Sequence, residues 1–138
     1  MTGLQDRLML ELVSAKQEKH MRFLKNEILD LIKNGESESV EFKKSTSSLR
    51  GAIQTTCAFA NHHGGYVIFG VEDSGRIVGQ QVTDDTIKNI SNAIKLNTDP
   101  KLYPTIEKMD MEGKTCLVVT IDESPLNSGD YRYEYAPC

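Results

Sequence analysis

The sequence predicts an α+β fold: a mixed, largely antiparallel sheet with packed helices, preceded by an N-terminal amphipathic helix. Three observations predict it. The first 34 residues carry helical periodicity with no proline and no glycine beyond position 3. Two dense apolar runs, Tyr66–Val71 and Cys116–Ile121, have the length and β-branched character of buried strands. Short glycine turns separate strand candidates as often as helices do, which favours hairpins over strict βαβ alternation. At 138 residues the chain suits one domain with a hydrophobic core. We divide it into a helical extension, 1–21, and an α+β domain, 22–138.

Each element has a local cause. In the opening segment Leu4, Leu8, Leu12 and Ala15 form one stripe, and Leu24, Ile28, Leu31 and Ile32 form another. Between them Lys16–His20 is polar all round, so the segment is one long helix or two with a break there. Asn34-Gly35 is a stop. The second stripe is expected on the domain, and the first to pack on a copy of itself or on its own domain. Ser39–Lys44 reads as a short strand with Val40 and Phe42 on one face, Glu41 and Lys43 on the other. Thr46 or Ser47 is expected to cap a helix running from Leu49 to Ala60, ended by Asn61-His62-His63-Gly64-Gly65. Tyr66–Val71 is the central strand, Glu72–Gly75 a turn, and Arg76–Gly79 a returning strand. Thr83 caps a helix to Leu96 whose first turn carries Asp84 and Asp85. Asn97–Pro104 reads as loop. Thr105–Met111 and Thr115–Asp122 pair around Glu112-Gly113-Lys114. Ser124–Asp130 reads as loop and Tyr131–Tyr135 as a last strand.

Composition limits the functions. The net charge of −4 excludes a non-specific nucleic-acid coater, whose affinity would come from neutralising phosphates; any such contact needs a local patch, a partner or a metal. Three widely spaced cysteines without a CxxC exclude a disulfide framework and a zinc site, and Cys57 and Cys116 lie in apolar runs as buried thiols. No apolar run approaches the ~20 residues of a membrane span and no signal peptide is visible, so a cytoplasmic location without membrane contact is expected. Gly113-Lys114-Thr115 resembles the end of a Walker A loop, but position 108 is Lys where glycine is required and a strand follows where a helix is required. An ATP site of that type is therefore excluded.

Two groups of residues can carry chemistry. Glu36, Glu41 and Asp73 are hard oxygen donors near the ends of different elements; brought together they would suit Mg²⁺ or Mn²⁺ and phosphodiester hydrolysis, with Lys43 beside Glu41 to hold transition-state charge. Solvated surface acids and a turn aspartate account for the same residues without a metal. Lys43, Lys44, Arg50 and Arg76, with Tyr66 near, form a candidate phosphate-facing patch, against the plainer reading of a solvated basic face. His62 and His63 sit at a helix C-terminus, a favoured place for imidazolium.

The segments Gly35-Glu36-Ser37, Glu41-Phe42-Lys43, Ala58-Phe59-Ala60-Asn61 with Gly64-Gly65, Gly70-Val71-Glu72-Asp73, and Gly75 to Gly79 together resemble the Schlafen AlbA_2 domain family, over about residues 22 to 125. The resemblance implies a domain found at the front of transcriptional regulators in many bacterial and archaeal members. In animal members it implies an RNA-cleaving fold with three carboxylates on a divalent ion, which match Glu36 and Glu41 by spacing and Asp73 as the third. The chain departs from the family's frequent Arg-x-Gly continuation, having Tyr131-Arg132-Tyr133-Glu134. Three expectations follow. The first is a module that binds DNA or RNA through Lys43, Lys44, Arg50 and Arg76 and needs no cofactor. The second is a Mg²⁺- or Mn²⁺-dependent nuclease using Glu36, Glu41 and Asp73. The third is an interaction domain that forms a homodimer through residues 1–15.

Overall fold

A computed structural model describes residues 3–123 and 132–133. The elements are α1 (Gly3–Asn34), β1 (Val40–Lys43), α2 (Arg50–Ala60), β2 (Gly65–Phe69), α3 (Asp84–Leu96), β3 (Thr98–Asp99), β4 (Thr105–Met111), β5 (Lys114–Ile121) and β6 (Arg132–Tyr133). Four strands form the main sheet in the order β1-β2-β5-β4. The β1–β2 pair is parallel, with Val40 opposite Tyr66 and Lys43 opposite Phe69, and the other two pairs are antiparallel. The expected mixed, largely antiparallel sheet is present, and its one parallel pair comes from a β1-α2-β2 crossover.

The sheet is covered on both faces. On one, Ile28 and Ile32 of α1 pack with Val40, Phe42, Ile68, Val71, Met109, Met111, Cys116 and Val118. On the other, α2 and α3 bring Ala52, Ile53, Cys57, Phe59, Ile90 and Ile94 against Val67, Phe69, Leu117, Val119 and Ile121. Central strands buried on both sides read as continuous apolar runs, which is why β2 and β5 stand out in the sequence. The break considered at Lys16–His20 does not occur: α1 is one 32-residue helix. Its second stripe joins the core from Leu24 onward, whereas residues 5–20 are exposed along their length. No helix among the described residues is long and apolar enough to cross a membrane.

Turns follow their residues. The β4–β5 reversal places Glu112 at φ 53° and Gly113 at φ 79°, the two positive dihedrals of a tight hairpin turn. The Thr83 hydroxyl accepts from Thr86 N–H (3.3 Å) and the Thr86 hydroxyl accepts from Thr83 N–H (3.1 Å), a reciprocal cap on α3. Gly64 (φ 78°) lies against the chain at Ile121 and Glu123, where a Cβ would strike the Ile121 carbonyl.

Three local expectations need correction. Neither Thr46 nor Ser47 caps α2: the helix starts at Arg50 behind Leu49 with no side-chain cap, because the Thr46 hydroxyl accepts from Gln80 Nε2 (3.1 Å) and Ser47 N–H donates to the Ser45 hydroxyl (3.3 Å). Arg76–Gly79 does not form a strand. Only an isolated Val71–Ile77 bridge forms, because Val78 and Gly79 both turn their N–H groups onto the Gly70 carbonyl (2.9 and 2.8 Å). The 97–104 segment is not all loop, since Thr98–Asp99 pairs with Arg132–Tyr133. The expected 124–130 loop lies outside the described residues, as do Tyr131, Glu134 and Tyr135 of the expected last strand.

Candidate nucleic-acid interface

The site begins with the pleat of β1. Successive side chains alternate across a strand, so Val40 and Phe42 enter the α1 face of the core, while Glu41 and Lys43 point to the α2 face beside Val67 and Phe69. β1 is an edge strand, and its outward N–H groups need partners outside the sheet. Val40 N–H donates to the Ser37 carbonyl (3.4 Å) and Phe42 N–H donates to Glu36 Oε1 (3.0 Å). The five-residue spacing of Glu36 and Glu41 thus has a structural use: a tight turn folds Glu36 back along the outer edge of the strand that carries Glu41.

Glu41 and Lys43 are both about 30 % exposed and approach to 3.9 Å through Glu41 Oε1. Glu41 Oε2 is buried and has no hydrogen-bond partner. Lys43 leans toward the first turn of α2, its Nζ only 3.2 Å from where a Cβ on Gly51 would stand. Lys44 is exposed just past the strand and Arg50 is exposed at the first position of α2. Three cations therefore gather where the C-terminal end of a parallel strand pair meets a helix N-terminus, a place where open α/β sheets present backbone N–H groups and positive potential to ligands.

Asp73 and Arg76 occupy the turn that follows β2. Arg76 pairs with Glu72 (3.0 Å), which offsets much of its charge. Gly75 of this turn lies against the Ile32 carbonyl at the end of α1, so the turn rises on the α1 side of the sheet, whereas Glu41 points to the α2 side. Among the described residues, no three His, Cys, Asp or Glu side chains are grouped to hold a metal ion. Glu36, Glu41 and Asp73 lie toward one end of the sheet without forming a three-carboxylate centre. One Glu36 oxygen accepts from Phe42 N–H, and Asp73 belongs to the turn whose Gly75 lies against the Ile32 carbonyl, so among the described residues the three acids do not group as one donor set.

Tyr66 and the two histidines lie elsewhere. Tyr66 is the second residue of β2, at the opposite end from Lys43, and its hydroxyl stands near Glu27 of α1. Burial first, then the Glu27 and Asp122 charges, push its pKa upward. Its expected place beside the basic patch is thus incorrect. His62 and His63 line an open cavity of about 450 Å³ with Glu38, Ser39 and Gly64 at that same far end, and His63 Nδ1 stands 3.7 Å from Glu123. Cys57 and Cys116 are buried free thiols, each pushed up to about 11 by burial. Gly113-Lys114-Thr115 spans the β4–β5 turn and the start of β5. Two features escape a sequence reading: the Glu36 contact to the β1 edge, and the Gln80–Thr46 bond that ties the loop after β1 to the far side of the β2 turn. The Gly35-Glu36-Ser37 reversal signals the first, and nothing in the sequence signals the second.

The family model for Schlafen, AlbA_2 matches residues 36–136. The chain belongs to the Schlafen AlbA_2 family. This AlbA_2 domain is 41 % identical over 71 residues to an uncharacterised ATP-binding protein of Ureaplasma parvum, in a match covering 46 % of this chain and 20 % of that protein. Its fold is similar to the solution structure of the N-terminal domain of a Nitrosomonas europaea protein described as related to the ATP-dependent DNA helicase RecG, with a TM-score of 0.61 at 24 % identity over 83 % of this chain and 90 % of the other. It is also similar to the crystal structure of the DIP2311 protein from Corynebacterium diphtheriae, with a TM-score of 0.53 at 20 % identity over 72 % of this chain and 21 % of that one. The AlbA_2 domain thus spans about a fifth of the Ureaplasma and Corynebacterium proteins it resembles.

Proposed function

We propose that this AlbA_2 domain binds DNA or RNA through phosphate contacts at the C-terminal end of β1, made by Lys43, Lys44 and Arg50 together with the first N–H groups of α2. The observation that carries the reading is the gathering of these three cations around an α2 N-terminus whose N-cap residue, Leu49, makes no side-chain cap bond. Arg76 has a lesser part, since it stands on the turn after β2, paired with Glu72, rather than at the β1–α2 junction. Membership of the AlbA_2 family and the likeness to a domain of a helicase-related protein support the same direction. A net charge of −4 confines the attraction to this patch. A place in transcription regulation and a cytoplasmic location go with this reading.

The test is fluorescence anisotropy with labelled single-stranded DNA, duplex DNA and a structured RNA, across salt and with chelator throughout. Three phosphate contacts give a slope of log K against log salt of about −2 to −3. Binding that persists in chelator and shows such a slope is expected; no binding to any probe at low salt overturns the reading.

One observation favours a second reading, cleavage that depends on Mg²⁺ or Mn²⁺: the buried Glu41 Oε2 without a donor, next to Lys43. The present placement of Asp73 does not complete a site. Incubating the protein with structured RNA in Mn²⁺ or in chelator decides it, since intact substrate in both lanes removes cleavage from consideration.

A further inference from the structure

We propose that the exposed half of α1 is a self-association segment, and that its occupant is the same segment of a second copy running antiparallel. Five of the seven large apolar side chains exposed among the described residues lie within two turns of this helix: Leu8, Met9, Leu10, Leu12 and Val13, each 49–69 % exposed. The other two, Leu96 and Tyr103, belong to the α3 region. At 100° per residue Leu8, Met9, Leu12 and Val13 fall within an arc of about 140°, so they form a single stripe, with Leu10 outside it. Among the described residues none covers that stripe: residues 5–20 are all exposed, and Leu24 and the residues after it carry the packing of α1 on the sheet. A sixteen-residue helix is marginal in water without a packed face, so this segment gains from a partner.

Charge selects the partner and its direction. Residues 5–12 hold Asp6, Arg7 and Glu11, net −1, and residues 13–20 hold Lys16, Glu18 and Lys19, net +1. A parallel pair sets like halves together. An antiparallel pair sets each acidic half along the basic half of the other copy. The register that stacks Leu8 on Val13 and Met9 on Leu12 brings Asp6 within one residue of the facing Lys16, and it opposes the two helix dipoles. It also leaves the two domain bodies, which begin at Leu24, at opposite ends of the pair.

The size of the stripe sets the strength. Four side chains of this exposure offer on the order of 400 Å² of surface per copy, hence roughly 800–1,000 Å² in all, at the lower limit for specific association. A weak dimer that forms as concentration rises is the consequence.

Sedimentation velocity from about 5 to 500 µM tests this. The natural chain is expected to move from 15.4 kDa toward twice that mass, while Leu8→Glu/Leu12→Glu stays monomeric and melts with the natural chain at about 5 µM, where neither is a dimer, because both positions are exposed. Direction is read by disulfide trapping in a Cys138→Ser background, where Cys57 and Cys116 are buried. Mixing Gln5→Cys and Lys16→Cys copies, two exposed positions that lie on the stripe and face each other in this register, is expected to give the mixed cross-link in excess over either like pair. A monomer at every concentration overturns the proposal, whether or not the segment then floats with anionic vesicles, and cross-linking of like positions overturns the antiparallel arrangement.

Discussion

Replacing Glu36 by alanine removes the acceptor for Phe42 N–H (3.0 Å), whereas replacing it by glutamine leaves a carbonyl oxygen in the same place. A hydrogen bond to a charged acceptor contributes roughly 1.5–3 kcal/mol when shielded. Glu36 is exposed and water can reach the vacated N–H, so the loss falls below that range and Glu36→Ala is expected to cost about 1 kcal/mol. For a chain of this length that is a drop of about 3–5 °C in Tm. Glu36→Gln is expected to stay within about 0.3 kcal/mol of the natural protein, keeping the bond while losing the charge. Urea titrations followed by far-UV circular dichroism, with a thermal melt for each variant, measure both. Equal losses for the two variants, or none for alanine, would refute the assignment of Glu36 to the edge of β1. The pair also separates roles: if Mn²⁺-dependent cleavage exists, glutamine that keeps stability but abolishes cleavage assigns the carboxylate charge to chemistry.

Other outcomes follow from the same geometry. Lys44→Glu combined with Arg50→Glu should weaken binding of every nucleic-acid probe at least tenfold, while Arg76→Glu has a smaller effect, as measured by anisotropy at fixed salt. Gly64→Ala should cost at least ~2 kcal/mol in urea titration, since φ is 78° and the new Cβ meets the Ile121 carbonyl and stands 3.0 Å from Glu123 N. Cys57 and Cys116 hold their protons to about 11 in the folded chain against 9.0 in the unfolded one. Stability is therefore full below pH 9 and falls as the pH rises toward 11, by up to ~2–3 kcal/mol per thiol, with Tyr66 adding in the same direction. Urea titrations at pH 8 and 10 test the sign. Both thiols should resist iodoacetamide in the folded protein at pH 8 and react once it is unfolded.

How much could be read from residues alone depended on the range of the interaction behind each feature. β2 and β5 were legible because burial on both faces makes every side chain apolar, and the β4–β5 turn because Gly113 takes a positive dihedral that few residues tolerate. The α3 cap was legible because Thr83 and Thr86 act within four residues. The α2 cap was not: Thr46 is taken by Gln80, 34 residues away, and a local rule cannot see that competitor. That Lys43, Lys44 and Arg50 stand near one another was legible, because they follow one another around a single strand–helix junction. Tyr66 was misplaced because it stands at the end of β2 where Lys43 does not lie, a consequence of strand direction rather than of spacing. The carboxylates were named as one group, but which face of the sheet each occupies depends on the pleat of β1 and on the turn beside Ile32.

The two borders of the sheet are closed in different ways. At β1 the preceding turn occupies the outward donors of Val40 and Phe42, so an incoming strand finds no N–H to pair with at either residue. At β4, Glu107, Lys108 and Asp110 set charges along the other border, where a neighbour's strand would have to desolvate them. Copies of the domain crowded side by side can therefore meet at either border without growing into a continuous β-structure.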